Sequence, residues 1–193
     1  EMHAPDSYRV GQDNVVINDT RLEDGSLCLV LDYEKLLADV IPQAMVDVFE
    51  SPVNLANIEI PKKLKNGTVL VAEDSKTAQK HLKQIFENAN LSMKLFENGK
   101  LLMDYVNEMG ENVSKIPAII TDIEMPEMSG FTVVKLLKNN AQTKEIPIIV
   151  NSSMTGLNNK REAQVLGADG FIDKTKSQNI IPLIVEIMNS KNM

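Results

Sequence analysis

Glu73 and Asp74 follow directly on the apolar run Val69-Leu70-Val71-Ala72, and Asp122 follows Ile119-Ile120-Thr121. A third run, Pro147-Ile148-Ile149-Val150, leads into Asn151, Ser152 and Ser153, and a fourth, Gly170-Phe171-Ile172, leads into Lys174. Three carboxylates brought together repel one another unless a cation joins them, and hard oxygen donors with room for water suit Mg²⁺. Lys174 adds a second positive charge. Singly, each residue has an ordinary reading. An acidic pair after a strand is usually a solvated loop, Asp122 serves to cap a turn before Pro126 and Gly130, Ser152 and Ser153 offer capping hydroxyls, and a lone lysine usually sits at the surface. Their shared placement singles them out, because ligands of an open parallel sheet bind beyond the carboxyl ends of its strands.

That placement requires a sheet. From residue 68 onward, apolar runs alternate with amphipathic segments, and the spacing predicts strands at Thr68–Ala72, Ser92–Phe96, Pro117–Thr121, Ile146–Val150 and Gly170–Ile172. Helices are expected near 75–89, 99–109, 130–139, 156–166 and 177–189. Right-handed crossovers return such a chain to one doubly wound parallel sheet of five strands, an α/β fold. Upstream, Val15-Val16-Ile17 and Leu27-Cys28-Leu29-Val30-Leu31 flank Glu23-Asp24-Gly25-Ser26, which reads as a β-hairpin. A short helix with Leu36, Leu37 and Val40 should follow Asp32 and close at Pro42. Residues 46–66, with Pro52, Pro61 and Lys62-Lys63-Leu64-Lys65, read as a linker.

Composition narrows the function. The 193 residues carry 20 Lys/Arg against 27 Asp/Glu, a net charge of −7, and no basic run. Nucleic acid and anionic membrane are therefore disfavoured partners. The deficit is concentrated early, with 6 Lys/Arg against 12 Asp/Glu in residues 1–67 and 14 against 15 in residues 68–193, which argues for two units. The single Cys28 lies in an apolar run and has no internal partner, so a reducing, cytoplasmic setting is expected. No apolar stretch reaches the roughly 18 residues of a membrane span. The acidic, loop-like start at Glu1 raises the expectation that the chain is a fragment.

Over residues 68–193 these motifs resemble the receiver domains of two-component response regulators. Val69-Leu70-Val71-Ala72-Glu73-Asp74-Ser75 is similar to the first strand and acidic pair of that family, and Ile119-Ile120-Thr121-Asp122-Ile123-Glu124-Met125-Pro126-Glu127-Met128-Ser129-Gly130 to its phosphoacceptor strand and loop. Pro147-Ile148-Ile149-Val150-Asn151-Ser152-Ser153 and Gly167-Ala168-Asp169-Gly170-Phe171-Ile172-Asp173-Lys174 complete the set. The resemblance implies a flavodoxin-like sheet of order 2-1-3-4-5. It implies that Asp122 accepts a phosphoryl group from a histidine kinase. Mg²⁺ would be held by Asp74, Asp122 and the backbone carbonyl of Glu124, with Glu73 acting mainly through metal-bound water. Lys174 and Ser152 would contact phosphoryl oxygens, with Ser152 and Phe171 as the switch pair. Two departures stand out. Lys174 precedes Thr175 where the family commonly has proline in a cis bond, and a non-proline cis bond costs about 3 kcal/mol. Either the bond is trans and the loop differs, or strain is retained. Glu124 places a carboxylate near the acceptor, where its charge is expected to shorten the phosphoryl lifetime.

The segment Asp24–Leu37 resembles the last strand and helix of CheW-like coupling domains, and a CheW-like domain followed by a receiver is the CheV architecture. The expected division is a C-terminal CheW-like remnant over 1–45, a linker over 46–66 and a receiver over 67–193. The expected role is that of a phosphoryl acceptor, not an enzyme in the ordinary sense, which scaffolds chemoreceptors to their histidine kinase or drains phosphate from it. Such a protein would be cytoplasmic and associated with receptor arrays, without inserting into the membrane. Two rivals remain: a stand-alone diffusible regulator and a Mg²⁺-dependent aspartyl-phosphate phosphohydrolase. The latter family wants Asp-x-Asp after an early strand and its acidic pair late, the reverse of the order here.

Overall fold

The computed structural model describes residues 16–21, 27–31, 58–154 and 156–191. The chain divides into two compact units, residues 1–50 and 51–193. In the first, β1 (Val16–Arg21) pairs antiparallel with β2 (Leu27–Leu31), from Arg21 opposite Leu27 to Val16 opposite Leu31, with an irregularity between Val16 and Asn18. The first strand is longer than the Val15–Ile17 run alone implies, because pairing continues to Arg21. The expected turn at 23–26 and helix after Asp32 lie outside the described residues.

The second unit begins with a short helix, α1 (Lys62–Asn66), and continues as β3 (Thr68–Ala72), α2 (Lys76–Asn88), β4 (Ser92–Phe96) and α3 (Gly99–Met109). A 3₁₀ segment (Gly110–Lys115) leads to β5 (Ile119–Thr121), α4 (Gly130–Lys138), β6 (Ile148–Ser152) and α5 (Leu157–Val165). The chain closes with β7 (Gly170–Asp173), a 3₁₀ segment (Lys174–Asn179) and α6 (Ile180–Ser190). All five strands of this unit are parallel, in the order β4-β3-β5-β6-β7, which is the expected 2-1-3-4-5.

Alternation along the strands divides the core into two layers. Val69, Val71, Ile120 and Ile149 pack with Leu82 and Phe86 of α2 and with Ile180, Ile184 and Met188 of α6. Leu70, Ala72, Ile119, Ile148 and Val150 face the other way, against Leu102 and Val106 of α3 and Val133, Val134 and Leu137 of α4. Central β3, β5 and β6 are covered on both faces and so read as unbroken apolar runs, whereas the edge strand β4 exposes Ser92 and Lys94.

Four boundaries depart from expectation for definable reasons. Pro117 and Pro147 have no N–H to give a ladder, so β5 starts at Ile119 and β6 at Ile148, and the carbonyl of Pro147 accepts from Ile119 N instead. β6 then runs on through Asn151 and Ser152, which pair with Ile172 and Asp173. The last helix starts at Ile180 rather than near 177, after a 3₁₀ turn that Asp173 caps by accepting from Thr175 N at 2.9 Å. Within the expected linker, residues 58–66 are part of the second unit: Leu64 is fully buried in its core, and Ile58 and Ile60 pack against the same cluster.

Candidate functional site

Strand register brings the acidic residues together. Because Ala72 pairs with Thr121, the next residues, Glu73 and Asp122, emerge side by side. The ladder continues beneath them: Asp122 N donates to Ala72 O at 3.0 Å, and Glu73 N to Phe96 O at 3.0 Å. Gln79, from the first turns of α2, donates through Nε2 to Glu73 O at 2.5 Å, and Ser75 caps that helix by accepting from Ala78 N at 3.3 Å. The acidic pair is thus held on a strand end and a capped helix start.

On the other side, Asp122 Oδ1 accepts from Ile123 N at 2.6 Å, and the Thr121 hydroxyl donates to Asp122 O at 3.0 Å. The loop that follows is fastened at both ends. Gly130 N donates to Ile123 O at 2.9 Å, and Asn98 Nδ2 donates to Glu127 Oε1 at 3.1 Å while its own Oδ1 caps α3 by accepting from Leu101 N. Glu127 adopts a left-handed φ of 63°, and Glu124 is exposed.

Lys174 reaches into this cluster from the end of β7. Its Nζ donates to Glu73 Oε1 at 2.9 Å and to Asp122 Oδ2 at 3.0 Å. Glu73 is 1% exposed and Asp122 5%, so these are nearly dry ion pairs. Burial, with the charge of Asp122 adding to it, pushes the Glu73 carboxyl up to about 7 despite the opposing pull of Lys174. Burial by itself would lower the Lys174 ammonium, but the carboxylates of Glu73 and Asp122 outweigh it and hold it above its ordinary value. Two buried carboxylates thus share one ammonium.

Glu73, Asp74 and Asp122 each offer a carboxylate oxygen within 4.8 Å of the others, with Asp74 the exposed member. Oxygens on opposite sides of an octahedral Mg²⁺ stand roughly 4.2 Å apart at bonds of about 2.1 Å, so the donor set fits a small, hard divalent cation with water completing its shell.

The remaining expected residues are nearby but not joined to the cluster. Ser152 is 1% exposed and its Oγ accepts from Met154 N at 3.2 Å; among the described residues it makes no hydrogen bond to Asp122 or Lys174. Phe171 is half-buried, with Lys160 Nζ 5.8 Å from its ring centre. Among the described residues there is no cis peptide bond, so the Lys174–Thr175 bond is trans and the lysine reaches both carboxylates without one. Gly130 closes the loop motif that resembles the family, whereas the supports from Gln79 and Asn98 carry no signal in sequence pattern, since nothing in their spacing distinguishes them from surface polar residues.

A family model for the response regulator receiver domain matches residues 69–186. Two chemotaxis proteins of Helicobacter pylori are similar over nearly the whole chain. CheV1 is 38% identical over 91% of this chain and 53% of its own length, and CheV2 is 33% identical over 98% and 58%. The chain thus spans little more than half the length of these curated relatives. Among solved structures, the receiver domain of a signal transduction histidine kinase from Syntrophus aciditrophicus is 27% identical at a TM-score of 0.55, covering 65% of this chain and 91% of that one. A Francisella response regulator receiver domain is 26% identical at 0.56, covering 66% and 100%. With that match, and with the paired acidic residues, the acceptor-strand aspartate and the lysine meeting at the carboxyl end of one sheet, the chain belongs to the response regulator receiver domain family.

Proposed function

We propose that the chain is the phosphoryl-accepting part of a CheV-type chemotaxis coupling protein, phosphorylated on Asp122 by a histidine kinase and adjusting or draining receptor–kinase signalling in response. The observation that carries this reading is the double contact of Lys174 with Glu73 and Asp122, with Asp74 beside them. It is supported by the similarity to CheV1 and CheV2 along both units.

In the proposed transfer a carboxylate oxygen of Asp122 attacks the phosphorus of a phosphohistidine, the P–N bond breaks, and an acyl phosphate forms on Asp122 as the imidazole leaves. Lys174, already 3.0 Å from Asp122, is placed to follow the incoming charge. Mg²⁺ bound by Asp74, Asp122 and the Glu124 carbonyl would supply further charge compensation, with Glu73 acting through metal-bound water. Ser152 would then turn its hydroxyl from Met154 N toward a phosphoryl oxygen, and Phe171 would move into the space vacated. The output would leave through the face of α5, β7 and α6, which Ser152 and Phe171 border; on α5 Leu157 is 85% exposed and Val165 80%.

Incubation with phosphorylated kinase or phosphoramidate in Mg²⁺ should label the protein, and Asp122→Asn should remove the acid-labile and base-labile phosphate. Undiminished label on that variant would place the acceptor elsewhere, and steady turnover of a phosphomonoester would favour a hydrolase. Pull-down of receptor–kinase complexes with and without an acyl-phosphate mimic tests the coupling role.

A further inference from the structure

Asn151 lies one residue before Ser152 on β6, and alternation turns its side chain to the opposite layer, the side of α2 and α6. It is 1% exposed, a polar side chain beside the buried Ile149. Its Oδ1 stands 3.2 Å from Ser177 Oγ, and Ser177, itself 2% exposed, donates to the backbone carbonyl of Lys174 at 2.8 Å. A link of buried polar groups therefore runs from the strand that carries Ser152 to the turn that carries Lys174.

The hydroxyl has one proton and two acceptors facing it, while Asn151 Nδ2 has no hydrogen-bond partner. Exchanging the amide's oxygen and nitrogen, which have the same shape, leaves the hydroxyl proton a single acceptor and gives Nδ2 a partner, with Oδ1 taking the other place. Nδ2 then donates to Ser177 Oγ, and Ser177 gives its proton to Lys174 O. The chain of donors points one way, from β6 to the lysine.

We infer, on the phosphoacceptor reading of the site given above, that Asn151 and Ser177 are positioning residues for Lys174. Lysine is a long, flexible side chain whose ammonium can be aimed only as well as its own backbone is held. Past β7 the ladder ends at the pair Ser152–Asp173, and the Lys174 backbone passes into a 3₁₀ turn to whose own bonds side chains add theirs. Asp173 accepts from Thr175 N and Oγ1 on one side of Lys174, and Ser177 with Asn151 holds its carbonyl on the other. The same link makes the lysine turn move with β6, so that Ser152 and Lys174 approach a phosphoryl group as one body.

The test uses the whole chain with Ser177→Ala and Asn151→Leu, the second filling the buried volume with an apolar side chain of similar size. Two readouts are taken: the rate of Asp122 phosphorylation by phosphoramidate beside the Mg²⁺ dissociation constant, and the rate at which acetic anhydride modifies Lys174, followed by mass spectrometry without metal or phosphodonor. A displacement of about 1 Å at a reacting group is enough to cost on the order of tenfold or more in rate. Each variant is expected to slow phosphorylation on that scale with Mg²⁺ affinity within about twofold and thermal stability retained in Asn151→Leu, to expose Lys174 to faster acetylation, and to show no added loss in the double variant. Parent-like phosphorylation and acetylation rates in both variants would overturn the inference, as would a loss of Mg²⁺ affinity in step with the rate. If the parent itself takes no label, the phosphoacceptor reading fails, while the acetylation rates still decide whether Asn151 and Ser177 hold Lys174.

Discussion

Gly130 is pressed against the carbonyl of Asp122: a Cβ at position 130 would stand 1.8 Å from that oxygen and 3.0 Å from Thr121 Oγ1. The contact lets the first turn of α4 close over the acceptor strand, where Ser129 caps it and Gly130 N bonds to Ile123 O. Gly130→Ala must therefore push backbone against backbone, and a loss of about 3 kcal/mol in urea unfolding is expected, with Asp122 displaced and its phosphorylation slowed. Gly156→Ala is the comparison, since nothing lies within 4 Å of a Cβ there and its φ of −54° suits any residue. It should be neutral or slightly stabilising.

The Glu73 carboxyl, raised to about 7 mainly by burial, gives the metal-free protein a pH dependence of definite sign. The fold binds this proton more tightly than the unfolded chain does. Its stabilising contribution is complete below the ordinary carboxyl pKa near 4.5 and disappears as pH rises through about 7. Melting temperature without metal should fall between pH 5 and pH 8 on this account, and Glu73→Gln should flatten the fall. Saturating Mg²⁺ should oppose it by favouring the charged cluster. A parent profile that matches Glu73→Gln would show that this carboxyl titrates normally.

Receiver architecture is legible in the sequence because central parallel strands are buried on both faces, so Val69–Ala72 and Ile148–Val150 stand out as apolar runs with chemistry at their ends. Glu73, Asp122 and Lys174 could be placed from that rule, and register brings them within hydrogen-bonding distance. What holds them was not legible. Gln79, Asn98 and Ser177 are ordinary polar residues whose partners lie on other elements or turn on a backbone carbonyl, which periodicity does not report. Leu64 illustrates the same limit: one apolar residue among Lys62, Lys63 and Lys65 has no period to read, yet it is fully buried.

Asp169 gathers charges at the end of the sheet away from Asp122. Its Oδ2 accepts from Lys138 Nζ at 2.7 Å and from Ile148 N at 2.8 Å, and its Oδ1 pairs with Lys191 at 2.5 Å. Lys138 also donates to the carbonyls of Lys144 and Ile146, so Asp169→Ala leaves a largely desolvated ammonium and a β6 N–H without their shared acceptor. Removing one partner of such a cluster costs about 3 kcal/mol, and denaturant unfolding should show it. Phosphorylation of Asp122, measured where the variant is fully folded, should keep its parent rate because the active end of β6 is untouched.

Leu64 connects the segment before the sheet to the core of the receiver unit. It is 0% exposed within the layer of Val69, Phe86 and Leu91, while Lys62 and Lys65 beside it face solvent. Gly67 permits the approach, since a Cβ there would come within 2.7 Å of Lys63 O and 2.9 Å of Pro117 Cδ. Leu64→Ala in the whole chain should therefore cost about 3 kcal/mol, the usual scale for emptying a buried leucine site, whereas Lys65→Ala should cost little. The consequence reaches beyond stability. If residues 58–66 are part of the receiver's core, loosening them with Leu64→Ala should raise amide exchange from Ile58 to Asn66 together with that of β3. Exchange that rises in the segment while β3 stays protected would mean that the segment lies on the core without contributing to its cooperative unit.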